Sequence, residues 1–241
     1  MPSATQWLPY CGAAPAPSGW FAQWNFDPVV LAVVALGLLC GRLLAPQRMN
    51  AHYAAAFAAL LLFVSPFCAL GSALFTARAI HHIGLGLILA PLLVEALRLH
   101  QRNLVLSLSQ LTLLQALIFW VWHVPSLYSA ALSSDAVFWI MQASMTATSA
   151  IWWARLRQAT AASATAALLA TMVQMGALGA LLVFADRAYY TPHALTTQLW
   201  GWSPLEDQQI AGLIMWGPAS AVYLLAAMTV LYRSLGAVRV R

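Results

Sequence analysis

Apolar residues gather into seven long runs, at about 28–45, 51–73, 79–97, 104–124, 136–154, 163–185 and 208–232. A helix needs roughly 20 residues to cross the hydrocarbon core of a bilayer, so the pattern predicts seven membrane-spanning helices. The first run is the shortest, and Pro28 and Pro46 bracket it as helix punctuation. Most connections are short; the exception is 187–207, which carries Tyr189, Tyr190, Trp200 and Trp202. Aromatics at this depth form an interfacial belt, or this segment is a lid or docking surface. The expected fold is all-α, a polytopic seven-helix bundle over 28–241, preceded by a tail over 1–27.

Charge orients the bundle. The chain holds eleven arginines and no lysine. Arg42 and Arg48 follow the first run, Arg98 and Arg102 the third, Arg155 and Arg157 the fifth, and Arg233, Arg239 and Arg241 the seventh. The alternate connections hold only Arg78 and Arg187. Cytoplasmic loops carry the excess of basic residues, which places the N-terminus outside and the C-terminus inside, as an odd number of spans requires. Composition agrees: 62% of residues are hydrophobic and 7% charged, against about 25% charged in soluble domains. The net charge of +5 fits inner-face arginines meeting anionic lipid. No basic block or aromatic-basic motif points to nucleic acid. The first residues lack a cationic segment and apolar core, so no signal peptide is expected.

Polar residues inside spans are costly and mark candidate sites. With a rise of about 1.5 Å per residue, His81 and His82 fall near the outer end of the third run, His123 at the outer end of the fourth, and Asp207 at the outer start of the seventh. Asp207, Ala211 and Met215 step down one helix face, with Gly212 beside them leaving space. Gln115, Phe119 and His123 form a similar stripe, and Met141/Met145 and Met172/Met175 line two further helices. Imidazole with thioether suits copper, especially the cuprous ion. A cavity open to the outer face, lined by His81, His82, His123, Asp207 and Met215, would be a copper site. Against it, interfacial histidines often bond neighbouring helices and methionines fill cores; His81 and His82 also point about 100° apart.

Other features read as structural. Glu95, three residues before Arg98, predicts an inner-face ion pair, and His52 and His100 sit at the inner boundary. Cys11, Cys40 and Cys68 show no metal-binding spacing and are expected to be unpaired and mostly buried, although a Cys11–Cys68 disulfide is conceivable on the oxidising side. Gly176 and Gly179 allow close helix approach. A retinal Schiff base is excluded because there is no lysine. Phosphate-binding loops, zinc-protease motifs and nucleophile elbows are absent. His82 and His123 could instead ligate haem axially.

Three stretches carry a family resemblance: Ile80-His81-His82 leading to Leu89-Ala90-Pro91-Leu92-Leu93; Trp122-His123-Val124-Pro125-Ser126-Leu127-Tyr128; and Ser203-Pro204-Leu205-Glu206-Asp207-Gln208-Gln209-Ile210-Ala211-Gly212. They resemble the CtaG family of cytochrome c oxidase assembly factors associated with caa3-type oxidases. The resemblance covers about residues 78–232. It implies a non-enzymatic, multi-pass protein of the bacterial inner membrane that helps produce active haem–copper oxidase by delivering or inserting copper. Oxidase subunits, membrane lipid and a copper chaperone would be its partners. His81 or His82, His123, Asp207, Gln208 and Met215 are the matching polar positions. Gln142 stands where the family often has a histidine. A haem- or quinone-linked redox subunit and a permanent structural subunit of an oxidase are the alternatives. A reporter fused after Arg241 should be cytoplasmic and one placed near Ser134 external. An external C-terminus would overturn the orientation.

Overall fold

The computed structural model describes residues 9–238 of the 241-residue chain, with side chains to 236. Arg239 and Arg241, assigned above to the inner face, lie outside the described residues. The protein is 79% helix, with no strands among the described residues. Eleven α-helices follow in order: α1 Pro28–Leu44, α2 Met49–Phe63, α3 Pro66–Ala73, α4 Phe75–Gly84, α5 Ala90–Ala96, α6 Leu108–Trp122, α7 Pro125–Ser133, α8 Asp135–Leu156, α9 Ala161–Val183, α10 Pro204–Ile214 and α11 Ser220–Val238. Helix covers each of the seven apolar runs. By length and apolarity four stretches are able to cross a membrane: Pro46–Ala73, Phe75–Ala96, Ala161–Val183 and Pro204–Gly236. The pair α6 and α7, bent by 72°, makes a fifth if counted together.

The expectation of seven spans is therefore reduced to four or five on this measure. Helix α1 has 17 residues, short of the roughly 20 a full crossing takes. Helix α8 is long enough, but Gln142, Ser144, Thr146, Thr148 and Ser149 interrupt its apolar character. The polar face of α8 is turned into the bundle, where Gln142 and Ser149 are buried.

Two of the long stretches contain one π-helical turn each, Leu85–Leu89 between α4 and α5 and Met215–Ala219 between α10 and α11. Proline explains both. Pro91 has no N–H, and the Ala90 N–H is bonded to the Leu85 carbonyl, so the Gly86 carbonyl loses both backbone partners. The Trp153 indole of α8 supplies the missing donor at 2.8 Å. In the second turn Pro218 removes a ladder donor, and the Ser220 hydroxyl reaches back to the Met215 carbonyl at 3.2 Å. Widened turns of this kind survive in hydrocarbon only when neighbours satisfy the freed groups.

Helices α9 and α10 pack backbone against backbone. A Cβ on Gly212 would lie 2.6 Å from the Gly179 carbonyl oxygen, and one on Gly179 would lie 2.7 Å from the Gly212 oxygen. Gly179 thus serves close approach as expected. Gly212 does the same rather than opening space beside Asp207.

The N-terminal segment folds back over one end of the bundle. Cys11 and Cys68 form a disulfide, the alternative to the expected unpaired thiols; burial of both beside each other cannot be read from positions 57 residues apart. Cys40 is unpaired and exposed rather than buried. Tyr10 stacks on Phe138 and donates to Asp27 Oδ2 at 2.7 Å, while Asp27 Oδ1 caps α1 through the N–H groups of Val29 and Val30. The Tyr10 bond holds the Asp27 carboxyl below its usual range.

At the opposite end Glu95 pairs with Arg48 at 3.0 Å and with Arg157. The expected Glu95–Arg98 pair is not formed. Helix α5 ends at Ala96, and Arg98 adopts a left-handed conformation (φ 52°) that takes it out of helical register.

Gly212→Ala should lower the thermal unfolding temperature of the detergent-purified protein, at a cost of about 1–3 kcal/mol for overpacking. Gly217→Ala, with open space around its Cβ, should leave it unchanged. Equal melting of both variants with wild type would remove the close-packing account.

Candidate functional site

Leu74 breaks the chain for a single residue between α3 and α4, and α4 then starts inside the protein. The first N–H groups of a helix have no partner within it. Asp207 of α10 provides one: its Oδ2 accepts from the Phe75 N–H at 2.6 Å and its Oδ1 from the Thr76 N–H at 3.1 Å. The Thr76 hydroxyl returns a bond to the Asp207 carbonyl at 2.8 Å. The carboxylate also faces the positive end of the α4 dipole. Both oxygens of Asp207 are thus committed to a helix N-terminus.

The neighbours of Asp207 are likewise architectural. Ser203 and Glu206 form a reciprocal capping box on α10. Gln208 accepts from the Tyr189 N–H at 2.7 Å and donates to the Arg187 carbonyl, while Gln209 donates to the Ala185 carbonyl. Together they tether the segment after α9. That segment forms a roof. Tyr190 stacks on Phe75 with ring centroids 3.8 Å apart, and its hydroxyl donates to the His123 carbonyl at 3.0 Å. Thr196 bonds the Ala73 carbonyl, and the Trp200 indole bonds the Pro15 carbonyl.

One turn into α4 lies Arg78, completely buried and not in a connection as the charge pattern implied. Its Nη2 approaches Cys11 Sγ at 3.9 Å, and its guanidinium lies 5.3 Å from the Phe138 ring centroid. Nε and Nη1 have no partner in the structure. Gly71 leaves the room for it, since a Cβ there would sit 2.8 Å from the Arg78 Cζ. Among the described residues Arg78 and Asp207 are the charged side chains classed as buried. They have opposite signs and sit at the same helix end.

The histidines differ in what they have left to offer. His81 Nε2 bonds the Leu62 carbonyl at 3.0 Å, so Nε2 carries the proton and Nδ1 keeps the lone pair. His123 caps α6 and donates through Nδ1 to the Phe119 carbonyl at 2.7 Å, leaving Nε2 as the lone-pair nitrogen. His82 is buried with neither ring nitrogen partnered. Its ring centroid lies 5.6 Å from that of His123 and 6.1 Å from that of His81.

Beside His82 is a cavity of about 20 Å³, enough for one water or ion, since about 10–15 Å³ suffices for a water. His82, Gly86, Gln115, Met145, Met175 and Tyr223 contribute to its lining. His81, His123, Asp207 and Met215 do not. The structure therefore brings together His82, His123 and two of the methionine-bearing faces, and puts Met145 and Met175 where Met215 was expected. A roof of aromatic residues covers the side where an opening was expected. Among the described residues no three His, Cys, Asp or Glu side chains cluster in a metal-ligating arrangement. Gln142 lies one turn from Met145 on the same face of α8, buried with both amide atoms unpartnered.

Sequence reasoning passed over Tyr128 and His193. The Tyr128 hydroxyl and His193 Nε2 are 2.7 Å apart and buried beneath the roof. Tyr128 was visible in the Trp122–Tyr128 stretch, but nothing marked His193, 65 residues away, as its partner.

A family model described as cytochrome c oxidase caa3 assembly factor matches residues 29–236. The chain belongs to that family. No curated protein and no solved structure matches it. With four or five helices able to span a bilayer, it is a membrane protein acting on cytochrome c oxidase assembly.

Burial pushes the His193 imidazole down to about 3, and the Arg78 cation adds to the push. The unfolded value is about 6.5, so this contribution to stability is complete above that pH and is lost as pH falls toward 3. Proteolysis within 187–202, normalised to an unstructured substrate, should be flat above pH 7 and then rise, by up to about tenfold per pH unit. His193→Gln should weaken the roof at neutral pH and flatten the rise. An unchanged slope in that variant would remove His193 as the titrating group.

Proposed function

We propose that this protein assists copper delivery to, or insertion into, the catalytic subunit of a caa3-type oxidase, handling the ion as cargo between its spans. The observation that carries this is the His82–His123 pair: two neighbouring imidazoles, one with both nitrogens unpartnered and the other with Nε2 free to ligate. Met145 and Met175 lie at the adjoining cavity. Two imidazoles with soft thioethers suit the cuprous ion. His81 Nδ1 is a further nitrogen on the same helix. Asp207 and Met215, candidates by position, are better read as a helix cap and a core residue.

The proposal includes seven passes through a bacterial inner membrane, the tail over 1–27 outside and the C-terminus inside. The Cys11–Cys68 disulfide supports an oxidising environment at one end of the bundle. The Arg48–Glu95–Arg157 cluster at the other end supports the arginine-rich inner face. Oxidase subunits and a copper chaperone would dock on the outer side. A scaffolding role without metal is favoured by one observation, Gln142 at the level where a third strong ligand would help. Haem ligation by His82 and His123 has little to support it, because a cavity of about 20 Å³ has no room for a macrocycle.

Deleting the protein should lower oxidase activity while the oxidase genes remain expressed. Excess external copper should restore part of it, since mass action populates a weak uncatalysed route. His123→Ala should mimic the deletion, whereas His100→Ala should not. Asp207→Ala should instead reduce the amount of folded protein, by a stability loss of several kcal/mol, since two buried N–H groups lose their acceptor. Equal effects of His123→Ala and His100→Ala would count against the copper mechanism. Metal-free purified protein with a strong deletion phenotype would favour the scaffold.

A further inference from the structure

A second, much larger space lies away from the histidines. Helix α1 touches α2 where Gly41 meets the His52 ring, so closely that a Cβ on Gly41 would lie 2.6 Å from it. Between α1, α2 and α5 a groove of about 1000 Å³ remains. Its walls are apolar: Val34 and Leu38 from α1, Ala55 and Ala59 from α2, and Leu89 and Leu93. Ala55, Ala56 and Ala59 of α2 give it depth between the larger His52 and Phe63 of the same helix. It extends from Val29 to Leu44 along α1, about 22 Å at about 1.5 Å per residue, longer than half of a hydrocarbon core about 30 Å thick.

One end is different. Arg98, Gln101 and Arg102 line it, beside His52. The neighbouring carboxylate, Glu95, is occupied by Arg48 and Arg157. Arg98 Nε is buried with no hydrogen-bond partner, and neither Arg98 nor Arg102 is in an ion pair among the described residues. Arg98 is also the one non-glycine residue with positive φ among those described, a conformation that costs strain and persists where surroundings impose it. The loop is held from α8: Gln158 donates to the His100 and Arg102 carbonyls at 2.8 and 2.9 Å, and Arg155 donates to Gln158. The backbone that carries the two arginines is thereby held in place.

From these features we infer that the groove is a binding site for an anionic phospholipid, its acyl chain along α1 and its phosphate on Arg98 and Arg102. Charge complementarity selects the occupant. Guanidinium forks match phosphate oxygens, and basic pockets between spans at a membrane face take acidic headgroups. No carboxylate lines the groove to receive the ammonium of a zwitterionic lipid, so a net negative headgroup is preferred. The acyl chain replaces the contacts that α1 and α5 do not make with each other, and the lipid becomes a wedge fastening α1 to the bundle.

The test uses the full chain, delipidated in non-ionic detergent, with phosphatidylglycerol or phosphatidylcholine added and binding read by native mass spectrometry and thermal unfolding. Phosphatidylglycerol should bind and raise the unfolding temperature, and phosphatidylcholine should do so less. Arg98→Gln/Arg102→Gln should weaken phosphatidylglycerol binding on the order of tenfold or more, as expected from losing charge-assisted bonds. Arg102→Gln alone, at an exposed position, should give part of that loss without disturbing the fold. Ala59→Phe should block the acyl chain while keeping both arginines. Equal response to the two lipids, unaltered binding in the arginine variants, or the same stabilisation by inorganic phosphate alone would overturn the lipid site. So would recovery of a peptide helix or a macrocycle from the groove.

Discussion

The contact on which most of the bundle depends is the Asp207 carboxylate at the N-terminus of α4. The turn at Leu74 is a single residue, so α4 begins inside the protein and its first N–H groups meet no water. In hydrocarbon an unsatisfied N–H costs several kcal/mol, which a turn this tight cannot relieve by itself. A carboxylate carried by α10 relieves two at once and thereby fixes α10 against α4. The neighbouring residues of α10 hold the segment after α9, and that segment seals the same helix end with Tyr190 over Phe75. Arg78 is buried one turn further along the same helix.

From that fixed end the position of His82 follows. It lies two turns into α4, just before the π turn at Leu85–Leu89. The Gly86 carbonyl would be an orphan without Trp153, so α8 is drawn against this turn, and Met145 comes with it. On the other side Gly179 and Gly212 lock α9 to α10, which brings Met175 to the cavity. The small space beside His82 is thus enclosed by helices each held by a specific polar bond or a glycine contact. Its size is a consequence of packing and not of missing side chains.

Much of this was legible in the chain. Hydropathy located every long helix, because burial in hydrocarbon leaves a direct imprint on residue type. The depth arithmetic put His82 and His123 together, since the rise per residue is fixed and both lie near helix ends. The bonds that join distant positions were not legible. Asp207 and Phe75 are 132 residues apart, and a carboxylate at that depth looks the same whether it binds a metal or caps a helix. The Arg98 conformation was hidden for a related reason: a spacing of three promises an ion pair with Glu95 only while the helix continues. The roof was legible only as one of two readings, a lid, because Tyr190 and His193 belong to a segment whose aromatics equally fit an interfacial belt.

The same comparison shows how intramembrane polar residues should be weighed. Each is a functional candidate by default because it is expensive, yet most of those here are spent on backbone groups that the bends and π turns leave open. Asp207, Gln208, Ser220, Trp153 and Thr76 all belong to that class. So do His81 Nε2 and His123 Nδ1, which serve the Leu62 and Phe119 carbonyls. Setting those aside leaves buried atoms without partners, among them both nitrogens of His82, both amide atoms of Gln142, Gln115 Oε1 and, nearer the start of α4, Arg78 Nε and Nη1. Folding alone gives no reason to bury these groups without partners, and replacing them with apolar side chains would stabilise the bundle. On the proposed function, a soft ion that must be bound and then released would account for the two free nitrogens of His82, because imidazoles with thioethers hold such an ion without enclosing it in a charged cage.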